Sequence, residues 1–173
     1  MKKPLNTARL KGVLKLVAEK SAWGSPLPKG VGRGIASYYS FETYTACVAE
    51  VSLENRTVKV HRIVYAVDCG RPINPAGVRA QVESAAIYGL SAALHDAITI
   101  KDGRVEQANF NDYEMPRIAE TPKTEVYVVQ STEEPTGIGE PGLPVVTPAV
   151  CNAVYALTRR RIRRLPIQPE DLA

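Results

Sequence analysis

One carboxylate in this chain sits where a reaction could use it. Glu140 lies inside GIGEPG, residues 137 to 142, with Gly137, Gly139, Gly142, Pro135, Pro141 and Pro144 around it. Glycines permit positive φ or close approach to a ligand, and prolines fix φ and remove a donor. Such a loop holds one side chain in a set direction at little further entropic cost. A lone glutamate in a Gly/Pro turn is by default a solvated residue. What sets this one apart is its context, because the strand-like run EVYVVQS precedes it and the helix-like run TPAVCNAVYALTRRR follows. Sites concentrate at strand–loop–helix junctions.

The other reactive side chains form no pattern. Cys47, Cys69 and Cys151 are odd in number and far apart, without CxxC spacing, and His61 and His95 are isolated. That is neither a disulfide framework nor a zinc site, so no metal ligands are expected. Cys47 and Cys151 stand in apolar contexts and read as small hydrophobes. GVGRG at 30 to 34 invites a nucleotide reading, but a dinucleotide loop needs a strand before it and a helix after it. Here a Pro-rich turn precedes and the β-type run IASYYSF follows. Five arginines cluster in RRRIRR (Arg159, Arg160, Arg161, Arg163, Arg164); without them the 22 basic residues fall to 17, against 18 acidic ones. With no aromatics interleaved, this run is expected to be a solvated or partner-facing tail and not a nucleic-acid footprint.

The elements that must position Glu140 are legible from periodicity. Residues 8 to 23 place Leu10, Val13, Leu14 and Val17 at helical spacing, and GSPLPKG ends the helix. Thr45, Cys47, Ala49, Val51 and Leu53 alternate along one strand, and Val58, Val60 and Val64 along the next, with ENR as the turn of a hairpin. Asn74 is a suitable N-cap and Pro75 a first helical residue for AGVRAQVESAAIYGLSAALHD. That helix is crowded with Ala, Gly and Ser, so something packs close to it. Arg79 and Glu83 mark its wet face, with Gln81 and Tyr88 as further polar positions. AITIKDGRV predicts a second hairpin turning at Asp102-Gly103. NFNDYEMPRIAETPK is irregular, EVYVVQS is a buried strand, and Thr147 caps and Pro148 starts the last helix, whose apolar face includes Val150, Val154 and Leu157.

These elements predict an α+β fold: a mixed or antiparallel sheet from 34 to 67 and 124 to 130, backed by helices near 76 to 95 and 148 to 160. A length of 173 residues, 45% hydrophobic and 23% charged, suits one domain over 1–173. No run approaches the ~20 apolar residues of a membrane span. MKKPLNTARLKG has lysines but no apolar stretch behind them, so a cytoplasmic location is expected, or a periplasmic one if the chain is exported with a partner.

GIGEPGLPVVTPAVCNAVYAL, with RRIRRLPI behind it, resembles the C-terminal end of the molybdenum hydroxylases, the xanthine dehydrogenase and aldehyde oxidase superfamily. The resemblance is greatest to the molybdenum-binding β subunits of isoquinoline 1-oxidoreductases and to their membrane-associated aldehyde dehydrogenase relatives. AEKSAWGSPLPKGVGRGIASYYSFETYTACVAEVSL, DCGRPINPAGVRAQVESAAIYGLSAAL and NFNDYEMPRI extend it from about Ala8 to Ile167. The resemblance implies the C-terminal half of a molybdopterin-binding domain. It makes Glu140 the general base that takes a proton as water-derived oxygen reaches an electron-poor carbon. It makes Gln81 an amide lying against the pterin, where it both donates and accepts. The implied cofactor is molybdopterin in its cytosine dinucleotide form, carrying molybdenum.

The chain departs from the family at Tyr44-Thr45 and the adjacent SFET, where small residues are more common. Family subunits are several times longer, and their metal-proximal glutamine, phenylalanine and arginine segments, like their iron–sulfur cysteines, have no match here. The implied partners are therefore an upstream half of the molybdenum subunit and an iron–sulfur subunit, with no nucleic acid. The isolated chain is expected to bind no cofactor and to be catalytically silent. Two functions stay open: the base-bearing segment of a hydroxylase of N-heteroaromatics or aldehydes, or a non-catalytic relic or partner-binding α+β module of the same family.

Overall fold

The long hairpin predicted between residues 44 and 68 is the centre of the molecule. In the computed structural model, which describes residues 4–172, β1 (Val31–Ser40), β2 (Thr43–Glu54) and β3 (Thr57–Asp68) form an antiparallel meander. Met1, Lys2 and Lys3 of the leading segment, and Ala173, lie outside the described residues. Both hairpin turns are two-residue, Phe41-Glu42 and Asn55-Arg56, and all four residues have positive φ. That twist matches the strands they join. Asn55-Arg56 is one residue shorter than the ENR turn read from the sequence, because Glu54 still pairs with Thr57.

After β3 come α2 (Pro75–Leu94), a separate small hairpin of β4 (Ile100–Lys101) and β5 (Arg104–Val105), and then β6 (Lys123–Val128). β6 pairs with β3 in parallel, giving the order β1-β2-β3-β6. The sheet is thus mixed, and its one parallel pair has α2 in the connection, as a crossover requires. The α+β assignment holds. β6 is an edge strand with only Val126 buried, less covered than its apolar run suggested.

Two helices back one face and a third covers the other. α1 (Thr7–Lys20), capped by the Asn6 side chain, buries Val13 and Val17 against Tyr44, Ala46, Val48, Val64 and Ala66. α2 and α3 (Val146–Thr158) pack over Cys47, Ala49, Val51, Ile63, Tyr65 and Val67. Val64 faces away from Val58 and Val60, although simple alternation puts the three together. Glu50 pairs with Arg62 but Val51 pairs with Val60, so His61 is a bulge that flips the face of everything after it.

Gly30 of GVGRG is a turn residue with positive φ, whereas Gly32 and Gly34 belong to β1 and serve close packing. A Cβ on Gly32 would meet the Ala153 carbonyl and Leu157, and one on Gly34 would run into Ala149 and Ala153 backbone. α3 therefore lies on β1 itself. The small residues of α2 do similar work, since a Cβ on Gly89 would come 2.7 Å from Val146 Cβ. Thr147 is not a cap: α3 starts at Val146, two residues before Pro148, and the Thr147 hydroxyl donates to the Gly89 carbonyl at 2.9 Å, tying α3 to α2.

Candidate functional site

The GIGEPG loop crosses the end of the sheet where β1 and β3 finish and β2 begins. Three strand hydroxyls, all fully buried, hold it there. Thr43 Oγ1 donates to the Gly137 carbonyl at 2.6 Å and lies 2.6 Å from Thr136 Oγ1, which must then donate to it. Thr45 Oγ1 donates to the Pro141 carbonyl at 3.0 Å, and the Tyr65 hydroxyl to the Gly142 carbonyl at 2.9 Å. A buried hydroxyl needs a partner; here the partners are loop carbonyls on both sides of Glu140. Burial pushes the Tyr65 phenol well above its usual pKa, so it keeps the proton it donates.

Backbone bonds complete the frame. Thr136 N–H donates to Cys69 O at 2.9 Å, Gly137 N–H to Phe41 O at 3.2 Å, and Leu143 N–H to Glu140 O at 2.9 Å. Gly137 and Gly142 serve close approach: an added Cβ would lie 2.9 Å from Phe41 Cβ and from Ala85 Cβ respectively. None of the loop's three glycines has positive φ, and a Cβ on Gly139 would meet nothing. Glu140 is exposed, and among the described residues no hydrogen bond or ion pair engages its carboxylate. Its backbone is fixed and its acid group is uncommitted.

Gln81 is exposed on α2 and lines a cleft of about 260 Å³ with Cys69, Val78, Thr136 and Ile138. The structure thus brings Gln81 to the first half of the Glu140 loop. Glu140 itself is not among the residues lining that cleft. DCGRP fastens this end of the molecule. The buried Asp68 takes two bonds from Arg9 of α1, at 2.8 and 2.6 Å, which raise the Arg9 pKa, and a third from Gly70 N–H at 3.1 Å. Gly70 has φ +71°, and a Cβ there would collide with the Glu134 carbonyl. Ser40 Oγ, on a concavity shared with Pro135, Thr136 and Gly137, is buried without a hydrogen-bond partner.

Thr43, Thr45 and Tyr65 were missed as site residues. The signal for Thr43 and Thr45 was a pair of hydroxyls at alternate positions of the mostly apolar β2, whereas Tyr65 on β3 gave none. Thr45 holds Pro141. The arginine run is not a loose tail. Arg161 stacks on Tyr155 at 3.5 Å, Ile162 packs against the core, and Ile167 N–H reaches Ala93 O at 2.8 Å. All five arginines are exposed, and none meets a carboxylate among the described residues. Cys47, Cys69 and Cys151 are free thiols, and burial raises the pKa of each. No cluster of His, Cys, Asp and Glu suited to a metal occurs among the described residues, nor any helix long and apolar enough to cross a membrane.

Comparison with known proteins gives the chain its family. Residues 9–122 match the model of the molybdopterin cofactor-binding domain. The chain is 37% identical over 95% of its length to a membrane-bound aldehyde dehydrogenase (pyrroloquinoline-quinone) of Gluconacetobacter polyoxogenes. It is 34% identical, again over 95%, to the β subunit of isoquinoline 1-oxidoreductase of Brevundimonas diminuta. It spans about 22% of the length of each of these two. Among solved structures, quinoline 2-oxidoreductase of Pseudomonas putida 86 superposes with a TM-score of 0.69 at 21% identity, over 75% of this chain and 18% of that one, which speaks for the fold alone. The chain belongs to the molybdopterin cofactor-binding domain family, whose relatives here are oxidoreductases.

Proposed function

We propose that this chain supplies Glu140 as general base, and Gln81 as a cofactor-facing amide, to a molybdenum hydroxylase of N-heteroaromatic compounds or aldehydes. The observation that carries this reading is the treatment of Glu140: a backbone pinned on both sides by buried hydroxyls, and a carboxylate left unpaired. A structural glutamate would spend its charge on a neighbour. Molybdopterin is favoured over the quinone in the name of the Gluconacetobacter relative, because the matching family is defined by the pterin. The chain's donors suit it. The Gln81 amide donates and accepts, as a pterin edge requires, and the orphaned Ser40 hydroxyl has capacity for one more polar group. Cys69, Gln81, Thr136 and Ile138 would hold the pterin side.

When bound, the cofactor supplies the redox chemistry, with water as the source of the oxygen. This chain's part is a proton transfer. A Glu140 carboxylate oxygen accepts the proton, and the loop keeps that oxygen in reach while the reaction proceeds. Gln81 orients. The remaining donors would come from an upstream part of the same larger subunit and electrons would leave through an iron–sulfur partner. The cofactor's nucleotide form is taken as cytosine dinucleotide.

The test is Glu140→Gln in the assembled subunit. Turnover falls by roughly 10²–10⁴-fold or more, as loss of a general base implies, while molybdenum content and melting temperature hold. Turnover within a few fold of wild type would show that Glu140 is a surface residue. The chain alone carries no stoichiometric molybdenum and reduces no dye with isoquinoline-like heterocycles or aldehydes; turnover by it alone would overturn the need for an upstream part.

A further inference from the structure

Between α2 and β6 the chain makes an excursion that has no core of its own. From residue 97 to 121 not one residue is buried. Ile98, Ile100, Val105, Phe110, Met115 and Ile118 are 57, 72, 54, 80, 46 and 94% exposed. Yet the segment is ordered by its own polar bonds. β4 and β5 pair around Asp102-Gly103, Thr99 meets Glu106 and Gln107, and the Asp112 carboxylate takes the N–H groups of Ala108 and Asn109. His95 Nε2 meets Glu120 at 2.9 Å, which ties the far end back to α2. Disordered segments are poor in large apolar side chains, and solvated loops do not gather six of them in 21 residues. A segment that is hydrogen-bonded in shape and apolar outside is built to be covered.

We infer that this excursion is the surface on which the upstream part of the molybdenum subunit docks, an inference that rests on the function proposed above. Two observations select that occupant. The excursion lies within the matched stretch 9–122 of the family domain, and the chain spans only about 22% of its relatives. The bulk of those proteins is available to cover it. Its charge argues against the alternatives. Residues 95 to 122 hold six acidic residues (Asp96, Asp102, Glu106, Asp112, Glu114, Glu120) and three basic ones (Lys101, Arg104, Arg117). Two copies facing each other through this surface would repel, and so would an anionic lipid surface. The fitting partner is an apolar protein surface with a basic rim.

The probe is the β subunit of the Brevundimonas isoquinoline 1-oxidoreductase, shortened by the stretch that this chain matches. Wild-type chain binds it, and Phe110→Ser with Ile118→Ser weakens binding at least roughly tenfold, since central apolar anchors dominate such interfaces. Both side chains are exposed, so the variant's melting temperature checks that its fold is intact. Tyr88→Ser, on the exposed face of α2 outside the excursion, leaves binding within about twofold, because contacts off the anchor cluster carry little of the energy. If wild type and the double variant bind alike, the docking surface lies elsewhere and the proposed function stands. If wild type does not bind at all, the docking proposal and the need for an upstream part both fall, while Glu140→Gln still tests the base. If the wild-type chain self-associates and the double variant is monomeric, the occupant is a second copy and the proposal is overturned.

Discussion

The Glu140 loop and the 97–121 excursion are both long connections without regular core, and they are built in opposite ways. The loop has no apolar anchor at Glu140, but its backbone is bonded to buried strand hydroxyls on both sides. The excursion has six large apolar side chains and almost none of them is used. A segment that must aim a side chain is fixed through its carbonyls. One that must meet a partner keeps its side chains outward and satisfies its polar groups locally. Fixing a loop by its backbone leaves the side chain free for chemistry; fixing a partner surface in advance lowers what association costs.

The largest effect that tests this contrast lies beneath the loop, where α3 rests on β1. Gly34→Ala inserts a methyl group into Ala149 and Ala153 backbone, with no flexible side chain to give way. Overpacking of this kind costs about 1–3 kcal/mol or more, and the helix that begins just after the Glu140 loop should shift with it. Ile118→Ser in the excursion should change stability by no more than ~0.5 kcal/mol. Chemical denaturation measures both. Equal costs would show that the excursion is part of the core.

Smaller, and closer to the site, are the hydroxyls. Tyr65→Phe and Thr45→Val each leave a loop carbonyl without its donor, which costs about 1–3 kcal/mol where the acceptor stays dry. Hydrogen exchange should quicken at the Leu143 and Gly137 amides, which bracket Glu140. In the assembled subunit kcat should fall with little change in KM, and Thr45→Ser, which keeps the hydroxyl, should retain both. Uniform destabilisation without a local change at those amides would make the hydroxyls ordinary core groups.

Periodicity made most of the fold legible because strands and helices each bury a face. The alternation of β2, the Asn74 cap and the Asp102-Gly103 turn all appear where the pattern puts them. Two things were hidden. His61 carries no sign that it is the extra residue of a bulge, so Val64 was assigned to the wrong face. The GVGRG glycines lack the context of a nucleotide loop, but nothing local reveals that a helix some 120 residues later packs against Gly32 and Gly34. At the site, Glu140 and Gln81 are singled out by family resemblance, and their roles are those proposed above. The hydroxyls that hold the loop were not legible, because their acceptors lie more than 70 residues away. Long-range partners of polar side chains leave no period to read.

Acid should separate the two regions most finely. Glu125 fastens β6 to β3: Arg62 Nε donates to it at 2.8 Å, and that bond, with help from Lys123 and Tyr127, lowers its pKa from the usual 4.5 to about 2. Asp112, inside the excursion, is also lowered from its usual 3.8, by the backbone N–H groups of Ala108 and Asn109. In both cases the folded form prefers the ionised acid. The stabilisation is therefore complete above the unfolded pKa and is lost as pH falls through the folded one. What differs is where the loss is felt. Protonating Glu125 between pH 4.5 and 2 loosens a strand of the central sheet, so the denaturation midpoint should fall across that window, and less steeply in Glu125→Gln. Protonating Asp112 frees only a turn on an exposed segment, so exchange at Ala108 and Asn109 should rise below pH 3.8 while the midpoint stays where Glu125 sets it. Asp112→Asn should remove the local effect and leave global stability unchanged. If it shifts the midpoint as much as Glu125→Gln does, the excursion is coupled to the sheet and does not wait for a partner to give it a core.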